Sequence, residues 1–167
     1  MSFHDAVVPA YLQMLNSLTG LLTKAEAHCA AKKIDPSVLL GSRLFPDMLP
    51  LSKQIQIVSD FAAKGCARLT HSEVPSTPDT ETSFADLKQR LAKTIDYVKS
   101  FKPEQFEGAE AKNVTFPAGP DKSITMTGQQ FLSSFSLPNF YFHAATAHGL
   151  LRHAGVEIGK RDFLGAN

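Results

Sequence analysis

Four segments of this chain repeat apolar residues at steps of three and four. A chain patterned in this way hides its apolar surface by packing helix against helix. The longest segment, Phe3 to Lys32, puts Tyr11, Leu15, Leu18, Leu22, Ala25 and Cys29 on one face, widened by Val8, Leu12 and Leu21. Pro9 falls within its first two turns, where a missing donor does least harm. Asp35-Pro36 closes it, because the residue before a proline avoids the α region. The second segment, Pro50 to Leu69, carries Leu51, Ile55, Val58, Ala62, Cys66 and Leu69. Ser83 and Asp86 form a capping box that opens the third. Phe84, Leu87, Leu91, Ile95 and Val98 give its stripe, and Lys102-Pro103 ends it. The fourth runs from Thr127, paired with Gln130 in a second capping box, to about Ala154, with Gly155 as its stop. Pro138 lies well inside it and predicts a kink that frees backbone carbonyls near Ser134.

The connections differ in character. Asp35 to Leu49 is irregular yet holds Val38, Leu39, Leu40, Leu44, Phe45 and Met48, so it is expected to pack down on the bundle. Thr70 to Thr82 has two prolines among small polar residues and reads as an exposed loop. Val114-Thr115-Phe116 and Ile124-Thr125-Met126 alternate across a Gly- and Pro-containing turn. They predict a small β-hairpin, which must lean on the helices because a lone hairpin is marginal. The tail, Gly155 to Asn167, carries Val156, Ile158, Phe163 and Leu164 and is expected to dock. The predicted class is all-α: one domain over residues 1–167, a four-helix bundle with a small β-hairpin before the fourth helix.

Charge narrows the partners. Seventeen basic residues against sixteen acidic ones leave a net charge of +1, which offers no electrostatic case for nucleic acid or an anionic membrane. No apolar run reaches the ~18 residues of a membrane span. The N-terminal stretch lacks a basic region and carries Asp5, Gln13 and Asn16, so it reads as the first helix and not as a signal peptide. Cys29 and Cys66 form no CxxC pair and fall on apolar faces. They are expected to be buried, inert thiols in a reducing, cytoplasmic compartment.

Six histidines invite a test for a metal site. Two ligands on one helix need a spacing of three or four to share a face. His143 and His148 are five apart and point roughly 140° away from each other at about 100° per residue; His148 and His153 have the same defect. Asn139, Thr146 and Ala147 occupy the partner positions of His143, and none completes a histidine pair. A divalent metal would need His143 with carboxylates from other helices, such as Asp60. A core or cleft histidine held by hydrogen bonds is the preferred reading, and His4, His28 and His71 are expected to be solvated residues near helix ends. No GxSxG elbow or phosphate-binding loop is present. Asn139, Tyr141, His143 and Arg152 cluster on the fourth helix around Pro138, either as the wall of a small-molecule cleft or as a polar patch joining that helix to the Arg43–Asp47 loop.

The segments RLFPDMLPLSKQI, Arg43 to Ile55, and LPNFYFHAATAHGLLRHAGVEIGKRDFLG, Leu137 to Gly165, resemble a domain-of-unknown-function branch of the DinB-like four-helix superfamily. The resemblance spans essentially the whole chain. It implies a bundle that is often dimeric, and a metal held by one histidine of the second helix and an HxxxH pair of the fourth. Some members of the superfamily are thiol-dependent transferases or isomerases. Here the second helix has no histidine, with Gln54, Gln56 and Asp60 as its polar candidates, and Ala147 stands where the second histidine of the pair would be. The expectation is therefore a diverged bundle that binds a small molecule near the fourth helix with no cofactor. The alternatives are a metal-dependent thiol transferase or hydrolase using His143 with carboxylates, and a structural dimer without ligand. A cytoplasmic homodimer is expected in each case.

Overall fold

The computed structural model describes residues 2–166. Helix α1 (Phe3–Lys32) opens with a capping box between Ser2 and Asp5 and ends at Lys33 in the left-handed region. After a short helix α2 (Pro36–Leu40) come α3 (Leu51–Leu69) and α4 (Phe84–Ser100), the latter opened by the expected Ser83–Asp86 box. A 3-10 turn (Pro103–Phe106) leads to strands β1 (Asn113–Pro117) and β2 (Ser123–Thr127). The fourth long helix begins as α5 (Gly128–Gln130), passes through a π-helical segment (Phe131–Ser136) and continues as α6 (Leu137–His153). A last short helix, α7 (Lys160–Leu164), lies in the tail.

The long helices form a ring: α1 packs on α4, α4 on α3, α3 on α6, and α6 meets α1. Inside it Tyr11, Leu15, Leu18, Leu22, Leu51, Ile55, Leu87, Leu91, Phe131 and Phe140 are buried, each worth about 1.5–3 kcal/mol of apolar burial. The hairpin pairs Val114 with Met126 and turns Val114 and Phe116 inward. Phe116 packs on Phe135 at 4.4 Å and on Phe131 at 5.3 Å. These contacts give the two strands the support that an isolated hairpin lacks. The tail docks on α1, where the Ser17 hydroxyl meets the carbonyls of Asp162 and Phe163, each at 2.7 Å.

One expectation gains detail and another changes. At Pro138 the helix widens for one turn: Leu137 N–H reaches back five residues to the Leu132 carbonyl, so the chain stays helical where the proline withholds a donor. The Asp35–Leu49 connection is less buried than its composition suggests. Leu39 and Leu40 turn inward, but Val38 and Phe45 remain 61% and 63% exposed. Helix α2 is barely one turn long and has only one side to offer the bundle.

Candidate functional site

The α3–α6 seam holds a polar pair in an apolar setting. Gln54, only 2% exposed, donates its amide N–H to the Leu49 carbonyl at 3.0 Å, which turns its Oε1 toward α6. There His143 Nδ1 lies 2.7 Å from that oxygen. An amide oxygen only accepts, so Nδ1 carries the hydrogen and Nε2 keeps its lone pair. Phe61 lies seven residues after Gln54 and returns to the same face of α3, within about 20°. Its ring stacks on the imidazole at 6.2 Å with a 20° tilt, and Phe142 meets it edge-on at 5.2 Å. Burial holds the His143 pKa below the ordinary histidine value. The ring is thus neutral near pH 7, in one tautomer, with a basic nitrogen free to accept a hydrogen bond or a proton.

The same stripe of α3 carries Gly65, which lets α1 approach. A Cβ there would sit 2.5 Å from the Tyr11 hydroxyl oxygen. That hydroxyl is bonded to Ser136 Oγ at 2.6 Å inside the π-helical segment. Burial raises the Tyr11 pKa, so the phenol stays protonated.

The other residues of the expected cluster scatter. Asn139, one turn before His143, donates to the Phe135 carbonyl of its own helix at 2.7 Å. Tyr141 is exposed and edges against Phe140 at 5.4 Å. Arg152 is exposed near the helix end and reaches the Val156 carbonyl at 3.5 Å. Asp60 is six residues past Gln54 and so turned about 120° from it. It faces α4, where it accepts from Arg90 at 2.8 Å, and it also accepts from Lys64, one turn on along α3, at 2.7 Å. Asp60 and His143 do not share a site.

Arg90 is the residue that sequence reasoning missed. It is 5% exposed and lies between Leu87, Leu91 and Thr94 on the buried stripe of α4, the one place on that stripe where a charge stands. Its guanidinium also donates to Asp79 and to Glu81, each at 3.0 Å, and to the Pro78 carbonyl at 3.3 Å. Gln56 donates to the second oxygen of Glu81 at 2.9 Å, and Lys53 pairs with Asp79. Burial pulls the Arg90 pKa down, but Glu81, Asp60 and Asp79 outweigh it and hold it above the usual value. Burial likewise pushes Asp79 up, yet Lys53 and Arg90 keep its carboxyl below the usual range. The Thr70–Thr82 loop is therefore a strap pinned across α3 and α4. It encloses a cavity of about 460 Å³ against α4, with Ala63 of α3 in its lining.

A crystal structure of a DinB family member protein from Shewanella denitrificans matches this chain with a TM-score of 0.91 and 41% identity, over 98% of this chain and 92% of that one. No curated protein matches. The family model described as "Domain of unknown function (DUF1993)" matches residues 3–164. The chain belongs to the DUF1993 family. With that neighbour, DUF1993 stands as a branch of the DinB-like superfamily, and both the fold and the family expected from the sequence hold.

The metal implied by that superfamily finds a poor set of donors in this DUF1993 chain. Gln54 offers an amide on α3 and binds His143 with it, while Ala147 is buried one turn beyond His143 with no donor atom. His148 turns elsewhere, its ring edging Phe163 at 5.5 Å. Among the described residues no three His, Cys, Asp or Glu side chains are placed to hold a metal ion. The thiols do not help either. Burial pushes Cys66 up to about 12, and burial followed by the charges of Asp35 and Glu26 raises Cys29. Neither is a thiolate near neutrality.

Proposed function

We propose that this DUF1993 protein is a diverged DinB-like bundle that binds a small molecule beside His143 without a triad metal. The observation that carries the reading is the Gln54–His143 hydrogen bond, 2.7 Å long. It fixes the imidazole where a metal would otherwise order it. A neutral ring with a free Nε2, flanked by Phe61 and Phe142, suits a flat ligand that presents a hydrogen-bond donor or an acidic proton. The same group is the residue to act as a base if the bound molecule reacts.

Elemental analysis of protein purified without a nickel column tests the metal-free part: zinc, nickel and iron stay well below one equivalent. A thermal-shift screen of thiol cofactors tests the ligand part, with a stabilisation in the wild type that His143→Ala removes. Stoichiometric metal lost in His143→Ala would instead favour a metal-dependent transferase or hydrolase. The reading also includes a cytoplasmic homodimer. Exposed Val38, Phe45 and Phe142 supply apolar surface for a second copy, and sedimentation equilibrium decides it by giving twice the chain mass or the chain mass alone.

A further inference from the structure

The cavity under the strap lies on the far flank of α3 from His143. Its lining includes Ala63. That residue is nine positions past Gln54 and so lies roughly 180° around the helix from it. The cavity volume is about 460 Å³. Spaces of this size hold small organic ligands. The acidic groups facing it are already occupied. Glu81 accepts from Arg90 and Gln56, and Asp86 accepts from the backbone of Thr82 and Ser83 at the start of α4. The Tyr97 hydroxyl donates to the Glu73 carbonyl at 3.3 Å, which leaves its ring, with Pro75 and Pro78, as apolar lining of the cavity. Lys93 lines the cavity and, among the described residues, has no hydrogen bond or ion pair. The charged group without a partner is thus a single ammonium, set beside apolar ring surface, with Thr77, Thr80 and Gln89 as uncharged polar lining.

We infer that this cavity binds a small organic monoanion, its charge on Lys93 and its apolar body between Tyr97 and the strap prolines. A cation finds no free carboxylate there, and one lysine does not match a polyphosphate. The test uses naphthalene-2-carboxylate, with 2-naphthylmethylamine and 2-naphthalenemethanol as cationic and neutral comparators, titrated into the full chain and followed by amide NMR. The carboxylate should bind saturably and tightest of the three, with shifts confined to Ala63, Asp86 and residues 75–81 and 89–97. Lys93→Gln, at an exposed position, should weaken it by about fivefold, the size expected of one ion pair at a protein surface. No saturable binding, an equal or tighter amine, or an unchanged Lys93→Gln affinity overturns the inference. Shifts centred on Gln54 and His143 also overturn it, and would assign the probe to the other site.

Discussion

The two flanks of α3 solve the problem of a buried polar group in opposite ways. Toward α6, Gln54 and His143 meet as neutral partners among phenylalanines, and one nitrogen is left unused. Toward α4, Arg90 is buried with Asp60, Asp79 and Glu81; its Nη1 is committed to the strap and its Nη2 to Asp60 and the Gln56 carbonyl of α3. The first arrangement leaves reactivity to spare, whereas the second converts charge into architecture. A buried polar residue is thus no guide to function until its remaining valences are counted.

If the α4 flank is architectural, Arg90→Ala should do the greatest damage. Removing the cation leaves three carboxylates facing one another, at a cost of about 3 kcal/mol, the low end for a broken buried pair because Asp60 and Asp79 keep some water. Urea denaturation measures it, and limited proteolysis should show residues 73–81 losing protection. Native-like protection of the strap in this variant would break the contrast.

The α6 flank should respond through packing and hydrogen bonding. Gly65→Ala drives a methyl group into the Tyr11 hydroxyl and should destabilise by about 2 kcal/mol. In a Tyr11→Phe background that penalty should shrink, and a double-mutant cycle reads the coupling. Gln54→Leu strands the Leu49 carbonyl and the His143 N–H, for about 1–2 kcal/mol. Its second effect is the sharper one, because the imidazole loses the acceptor that selects its tautomer.

Acid should separate the flanks with the smallest effects. The folded state lowers the His143 pKa. Between that value and the unfolded value of about 6.5, the unfolded chain binds more protons. The His143 contribution is therefore complete above the unfolded value and falls away as pH drops below it. Asp79 is also lowered, but from 3.8, so its contribution survives until pH falls below that range. Stability followed from pH 7 to pH 3 should decline in two stages, and His143→Gln should remove the first.

Much of the fold was legible because one-sided burial prints its period on a helix. The stripes of α1, α3 and α4 and the three capping boxes at Ser2, Ser83 and Thr127 are local signals, and two of those boxes were read directly. The connection between α2 and α3 misled because apolar content says nothing about whether a partner face is within reach of Phe45. The site was harder. His143 stands out, but its partner lies 89 residues away in sequence, and Gln54 is one of three polar candidates on its helix with no signal tying it to His143. Asp60 shares only its chemistry with a His143 site; its angular offset from Gln54 on α3 points it toward α4 instead. Arg90 did leave a trace, as a charge on an otherwise apolar stripe, though its strap partners follow no period.

In the function proposed above, a hydrogen bond from His143 to Gln54, and not a metal, orders this imidazole. Long-range proton–nitrogen NMR of the histidine rings, run on the purified protein near pH 7.5, addresses it directly. The expected result is a His143 ring with a protonated Nδ1 and an Nε2 shift typical of a free lone pair, unchanged by chelator and lost to tautomer averaging in Gln54→Leu. A ring protonated at Nε2, or nitrogen shifts that move when chelator is added, would contradict it.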